Sequence, residues 1–201
     1  IVLGVMLSLI VLALFFMKDF LIKRELLKIE NENSITVSYQ RSKINLLMFP
    51  QVSIKLKNVK VVNLNFDSNE PLAQLEEVYL SLSFLEIFSS SPVVHKVALK
   101  GGDIQFKVDS LGRDNFDLNG GDNKSYQSGR VIEEIEIVDL EFRYLDQQNL
   151  IRIDVLLDQF SLKETDSVSV NTSLLIRSLT HSRKEYYSNR QVSIVSLGHR
   201  S

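Results

Sequence analysis

The chain has 201 residues, 44% of them hydrophobic, and a formal net charge of -2. This length fits one ordinary domain plus an anchor, and the near-balanced charge leaves no basic stripe of the kind nucleic acid requires. Cysteine is absent, which excludes disulfide frameworks, thiolate metal sites and cysteine nucleophiles.

Residues 1–17 carry no charge, and only Gly4 and Ser8 interrupt their apolar character. A membrane-spanning helix needs about 20 such residues. Phe20, Leu21 and Ile22 lengthen the run, and the chain opens on Ile1 rather than Met, so further residues, several of them basic, are expected upstream. A cleaved signal peptide would show a small-residue cleavage site; Met17-Lys18-Asp19-Phe20 has none. A buried core helix of this length would carry more polar breaks. The expectation is an uncleaved transmembrane anchor over 1–22. Lys18, Lys23, Arg24 and Lys28 follow it and, read alone, favour a cytoplasmic domain, but Asp19, Glu25, Glu30 and Glu32 lie among them. Residues 23–33 read as a helical stem, closed by the polar cluster Asn31-Glu32-Asn33-Ser34.

From Ile35 the apolar period changes to two. Ile35, Val37 and Tyr39 alternate with polar residues, as do Val52, Ile54 and Leu56, then Val78, Leu80, Leu82 and Phe84. The same pattern continues at Ile104, Phe106 and Val108, at Ile135 and Ile137, at Phe142 and Tyr144, and at Ile151, Ile153 and Val155. Such alternation predicts half-buried, mostly antiparallel strands. Turn residues separate them: Asp67 to Pro71, Gly101-Gly102-Asp103, and Asp109-Ser110-Leu111-Gly112. A short helical turn is expected near 83–88. Asn119 to Gly129 is glycine-rich and polar and reads as a mobile loop. The expected organisation is therefore 1–22 anchor, 23–33 stem, 34–118 β-rich region, 119–130 flexible loop, and 131–201 a continuing β-rich region that is part of a longer protein.

The residues of common catalytic and metal sites do not converge. His95, His181 and His199 have no metal-ligand spacing. GxSxG, HExxH and phosphate-cradling loops are missing from the sequence. Glu76-Glu77 and Glu133-Glu134 are adjacent acids on strand positions, which in a regular strand point to opposite faces. No enzyme, cofactor or metal is expected. Asn123-Lys124-Ser125 and Asn171-Thr172-Ser173 match glycosylation acceptors, and such triplets arise readily by chance.

An ordered series of features resembles the N-terminal region of the AsmA family of bacterial envelope proteins. After the anchor and stem come Leu46-Leu47-Met48-Phe49-Pro50-Gln51-Val52-Ser53-Ile54 and Lys57-Asn58-Val59, then Leu72-Ala73 and Leu80-Ser81-Leu82. Val97-Ala98-Leu99-Lys100-Gly101-Gly102-Asp103-Ile104 leads into Asp109 to Phe116. The family often carries Gly-x-x-Asn-Trp at this last place; here it is Gly112, Asn115 and Phe116. Tyr144-Leu145-Asp146 is similar to a tyrosine-to-aspartate turn of the family. The likeness runs to about residue 165.

The resemblance implies an inner-membrane anchor with the β domain in the periplasm, against the visible charge flank. It also implies a curved antiparallel sheet forming a groove for phospholipid transport between inner and outer membranes. Alternation alone fits a closed sandwich core better than a groove; the resemblance is what favours the groove. The residues expected on its apolar floor are Val78, Leu80, Leu82, Ile104, Phe106, Val108, Ile135, Ile137, Phe142 and Tyr144. Expected partners are phospholipid acyl chains, the inner membrane and envelope proteins, not nucleic acid. The alternative is an anchored scaffold that assists outer-membrane protein assembly through sheet edges or polar faces.

Overall fold

The computed structural model describes residues 22–24, 26–27, 29–31, 34–45, 51–66, 70–83, 93–117, 132–164, 167–182 and 184–199. The apolar run before Ile22, the helical turn expected after Ser83 and the loop expected at 119–130 lie outside them. Among the described residues no helix is long and apolar enough to cross a membrane.

The protein is mainly β, with one short helix at 22–31. Nine strands follow: β1 (Ile35–Ser38), β2 (Arg41–Asn45), β3 (Gln51–Asn63), β4 (Ala73–Ser83), β5 (Val94–Val108), β6 (Glu134–Asp146), β7 (Ile151–Glu164), β8 (Ser167–His181) and β9 (Lys184–His199). They form one curved, open sheet in the order β1-β3-β4-β5-β6-β7-β8-β9, with β2 also paired to β3. Among the described residues there is no second sheet and no pairing that closes the first.

The expectation of an antiparallel sheet needs one correction. β5 and β6 run parallel, from Lys96 opposite Glu134 to Val108 opposite Asp146, and the sheet is mixed. A hairpin turn can join only antiparallel neighbours, whereas a parallel pair needs a dozen or more residues to bring the chain back. Residues 109–133 supply that return. Alternation has the same period in both pairings, so it could not distinguish them.

The side-chain period breaks along a line across the sheet. Asn58, Gly101, Gly102 and Asp139 have positive φ, at 51°, 66°, 112° and 53°. The strand registers set Asn58 against Glu76, Glu76 against Gly101, and Gly101 against Asp139. At the next position, Asp158 falls in a register shift between β7 and β8. Leu56 and Val59, three residues apart, would face opposite ways in a regular strand, yet both are buried in one cluster with Leu75, Val78 and Leu140. The strands β3 to β7 thus reverse parity at the crease, and because the reversals are in register, one face stays apolar across them.

The helix covers part of that face. Ile22 is buried in the same cluster and Leu26 packs against it. The Val37 amide donates to Glu30 Oε1 at 2.7 Å, and the Leu64 amide donates to the Ser34 carbonyl at 2.9 Å. The helix therefore meets β1 at the end of the sheet where Asn63 pairs with Ile35, and Ile22 lies away from that end.

Candidate functional site

The candidate site is the apolar face. Val78, Leu80, Ile104, Ile137 and Phe142 join the main cluster, and Leu82 packs in a second one with Val52, Ile44 and Val94. Ile135 lies opposite Val97 and Leu162, two residues before Ile137 and on the same side. Phe106 stacks on Phe142 at a centroid distance of 6.4 Å and meets the Phe116 ring edge-on at 5.5 Å. Val108 and Tyr144 follow Phe106 and Phe142 at even spacing in parallel strands. All ten residues expected on the floor therefore occupy one face.

Coverage is uneven along this face. Among the ten, only Val78 and Leu82 are buried; the other eight are half-buried. The buried pair lies on β4, next to the strand the helix packs against. Across β5 to β7 the face is a single layer with little above it among the described residues. The exceptions are Leu140, with no exposed surface, and Leu157 opposite it.

Sequence reasoning missed several members of the face. Val59, Leu75 and Leu140 have the wrong parity relative to Leu56, Val78 and Ile137, and only the crease brings them onto the same side. The local signal was there in Asn58 and Asp139, since short polar side chains tolerate a left-handed backbone. The expectation that Glu76 and Glu77 point apart is also corrected. They line the same two outer-face troughs, at Gly101 and at Asn58, because the period breaks at their position.

One end of the face is closed by a polar latch. Asn63, Asn115 and Asp146 are the buried polar residues there. Asn115 accepts from the Lys107 amide at 2.7 Å and donates to the Gln105 carbonyl at 2.7 Å, copying a strand partner for β5. Asn63 Nδ2 donates to the Asn115 carbonyl at 2.9 Å. Asp146 accepts from the Asn149 side chain and amide, both at 2.8 Å, and these bonds hold its carboxyl below the usual range. Tyr144 donates to it at 3.3 Å. The Gly-x-x-Asn-Phe and Tyr-x-Asp patterns thus serve as end fasteners of the sheet.

The opposite face is charged. Lys55 Nζ donates to the Tyr79 hydroxyl at 2.6 Å, that hydroxyl donates to Glu77 at 2.6 Å, and Lys55 and Lys57 bridge to Glu77 at 2.7 and 3.0 Å. The hydrogen bond from Lys55, then those from Tyr79 and Lys57, holds the Glu77 carboxyl down at about 2. Lys96 bridges Glu134 and Glu136, and Arg143 bridges Glu141.

Sequence reasoning also missed a serine–histidine–glutamate chain. His95 is the extra residue in a β-bulge, where Ser81 opposes Lys96 and Leu82 opposes Val94. The bulge aims its ring so that Nε2 meets Ser83 Oγ at 3.1 Å and Nδ1 meets Glu133 Oε1 at 3.1 Å. The connectivity is that of a nucleophile, base and orienting acid. However, Glu133 is 60% exposed, so water screens the carboxylate that would have to stabilise an imidazolium. The arrangement ties β4, β5 and the approach to β6 together. Among the described residues no three metal-binding side chains converge.

A comparison with models of known protein families found no match, and a comparison with curated proteins found none either.

Proposed function

We propose that this chain is a membrane-anchored, non-enzymatic carrier of phospholipid acyl chains. In this reading the run before Ile22 sits in a bacterial inner membrane, the sheet lies in the periplasm, and lipid passes towards the outer membrane along the apolar face. The supporting observation is the unbroken apolar side of a single-layer sheet, kept continuous from β3 to β7 by in-register parity reversals. A sandwich would bury such a face under a second sheet. Each methylene that leaves water for this surface contributes about 0.8 kcal/mol, so an acyl chain can be held without specific polar contacts.

The test uses a photocrosslinking residue on the face, in the full chain in its native membrane, with and without Phe106→Glu or Leu80→Glu. Both positions are half-buried, so the variants are expected to fold, lose lipid crosslinks and stop transfer. Normal crosslinking in folded Phe106→Glu would sink the reading.

The scaffold reading also has an observation behind it. β9 is paired only by β8, which leaves an edge among the described residues where a partner strand could add. Crosslinks from β9 to protein, with none from the apolar face to lipid, would favour it.

A further inference from the structure

A feature of the charged face is used by neither reading. β2 and β3 pair so that Arg41 lies opposite Lys57 and Lys43 opposite Lys55. Like charges directly opposite each other across an antiparallel pair are destabilising. One such pair could be incidental, but here two are consecutive on the same face. Continuing across the sheet, Lys57 meets Glu77, and Glu77 meets Lys100. Lys55 and Lys100 flank the Tyr79 ring, with Nζ 4.7 and 5.5 Å from its centroid. Five cations therefore surround Glu77 and Tyr79, with Glu76 at the rim. Glu77 is already shared between Lys55 and Lys57, and Glu134 and Glu136 are taken up by Lys96. Lys100 also shares its trough with Asp103, Asp139 and Glu141, so the excess of positive charge lies on the β2–β3 side, where Arg41, Lys43, Lys55 and Lys57 outnumber Glu76 and Glu77.

Its position suggests the occupant. Lys23 and Glu30 of the helix line one groove with Arg41 and Lys43. The uncharged run 1–17 precedes this helix in the sequence. The cations of β2 are thus beside the helix that follows the apolar run in the sequence.

We propose that Arg41, Lys43, Lys55 and Lys57 form a docking surface for anionic phospholipid headgroups of the membrane that holds the N-terminal run. This rests on the reading of that run as an anchor. Docking would fix the tilt of the sheet at the bilayer and neutralise the cross-strand repulsion. Attraction of this kind decays within a Debye length, about 10 Å in ordinary buffer and about 3 Å near 1 M salt.

The test uses the full chain in nanodiscs of phosphatidylcholine, with or without phosphatidylglycerol. The chain has no cysteine, so Ser53→Cys on the charged face can carry a single fluorophore, read against a headgroup-attached quencher. Quenching is expected only with phosphatidylglycerol, and high salt should abolish it. The variant Arg41→Glu/Lys43→Glu converts both like-charge pairs into attractive ones. It should melt no lower than the parent while quenching falls at least about fivefold, as expected from losing two cations at an anionic surface. Equal quenching in both lipids, or full quenching in the variant, overturns the proposal. A chain retained in the disc at high salt but never quenched overturns the docking surface and leaves the anchor standing. A chain that leaves the disc overturns both.

Discussion

At the scale of single residues, the crease depends most on Gly102. Its φ is 112°, and a Cβ there would lie 2.1 Å from the Gln74 carbonyl oxygen and 2.8 Å from Leu75 Cα. Backbone on the neighbouring strand cannot step aside. Gly102→Ala should therefore cost about 3 kcal/mol or more, read as a shift of the urea midpoint. At Gly101 the added Cβ meets only the Glu76 carboxyl, at 2.6 Å. That is the end of a flexible side chain, so Gly101→Ala should cost about 1–2 kcal/mol, the ordinary penalty of a left-handed residue. Equal costs would mean that the strands separate at the crease more easily than their register implies. Glu77 gives a pH signature. Its carboxyl is depressed from 4.5 to about 2 in the folded chain. The folded state thus binds this proton less readily than the unfolded one, and the contribution is whole above 4.5 and lost as pH falls towards about 2. Stability should drop across that window, and Glu77→Gln should flatten the drop; an unchanged slope in the variant would remove Glu77 from the account.

At the scale of elements, Asn115 is central to fastening the segment after β5. Its side chain makes two contacts with β5, its amide donates to the Lys107 carbonyl at 3.0 Å, and its carbonyl is held by Asn63. Asn115→Ala would leave the Lys107 amide and Gln105 carbonyl without these partners, at a cost of about 1–3 kcal/mol. It would also free the Phe116 ring from Phe106. Amide exchange should rise first at Lys107 and Asn115, before β3 and β4 are affected; simultaneous loss of protection over the whole sheet would show that the latch is integral to the core. The motif Gly112, Asn115, Phe116 was visible in the sequence as a resemblance, but its role was not. An asparagine that replaces a strand partner cannot be told from a loop asparagine until the strand beside it is known.

At the scale of the whole molecule, an open sheet and a closed core respond differently to buried charge. Leu140 has no exposed surface and Phe106 is half-buried on the same face. Leu140→Glu should unfold the protein, because a carboxylate there has no route to water. Phe106→Glu should fold with a modest loss of melting temperature, because its charge can turn towards solvent. Equal collapse of both would mean that a further layer covers β5 to β7.

Much of the sheet was legible in the sequence. Alternation is a local property, set by the two-residue pleat, so the strand cores and the common side of each apolar set could be read residue by residue. The apolar-face residues on β4, β5 and β6 emerged this way. What lay beyond local pattern was how segments meet. The parallel pairing of β5 and β6 depends on where the chain after Asp109 returns. The crease depends on Asn58, Gly101 and Asp139 falling in register on strands far apart in sequence. The meeting of Ser83, His95 and Glu133, and the stacking of Arg41 on Lys57 and Lys43 on Lys55, depend on the same registers. A side chain's face follows from its neighbours along the strand; its partners follow from strand pairing, which only the tertiary structure decided.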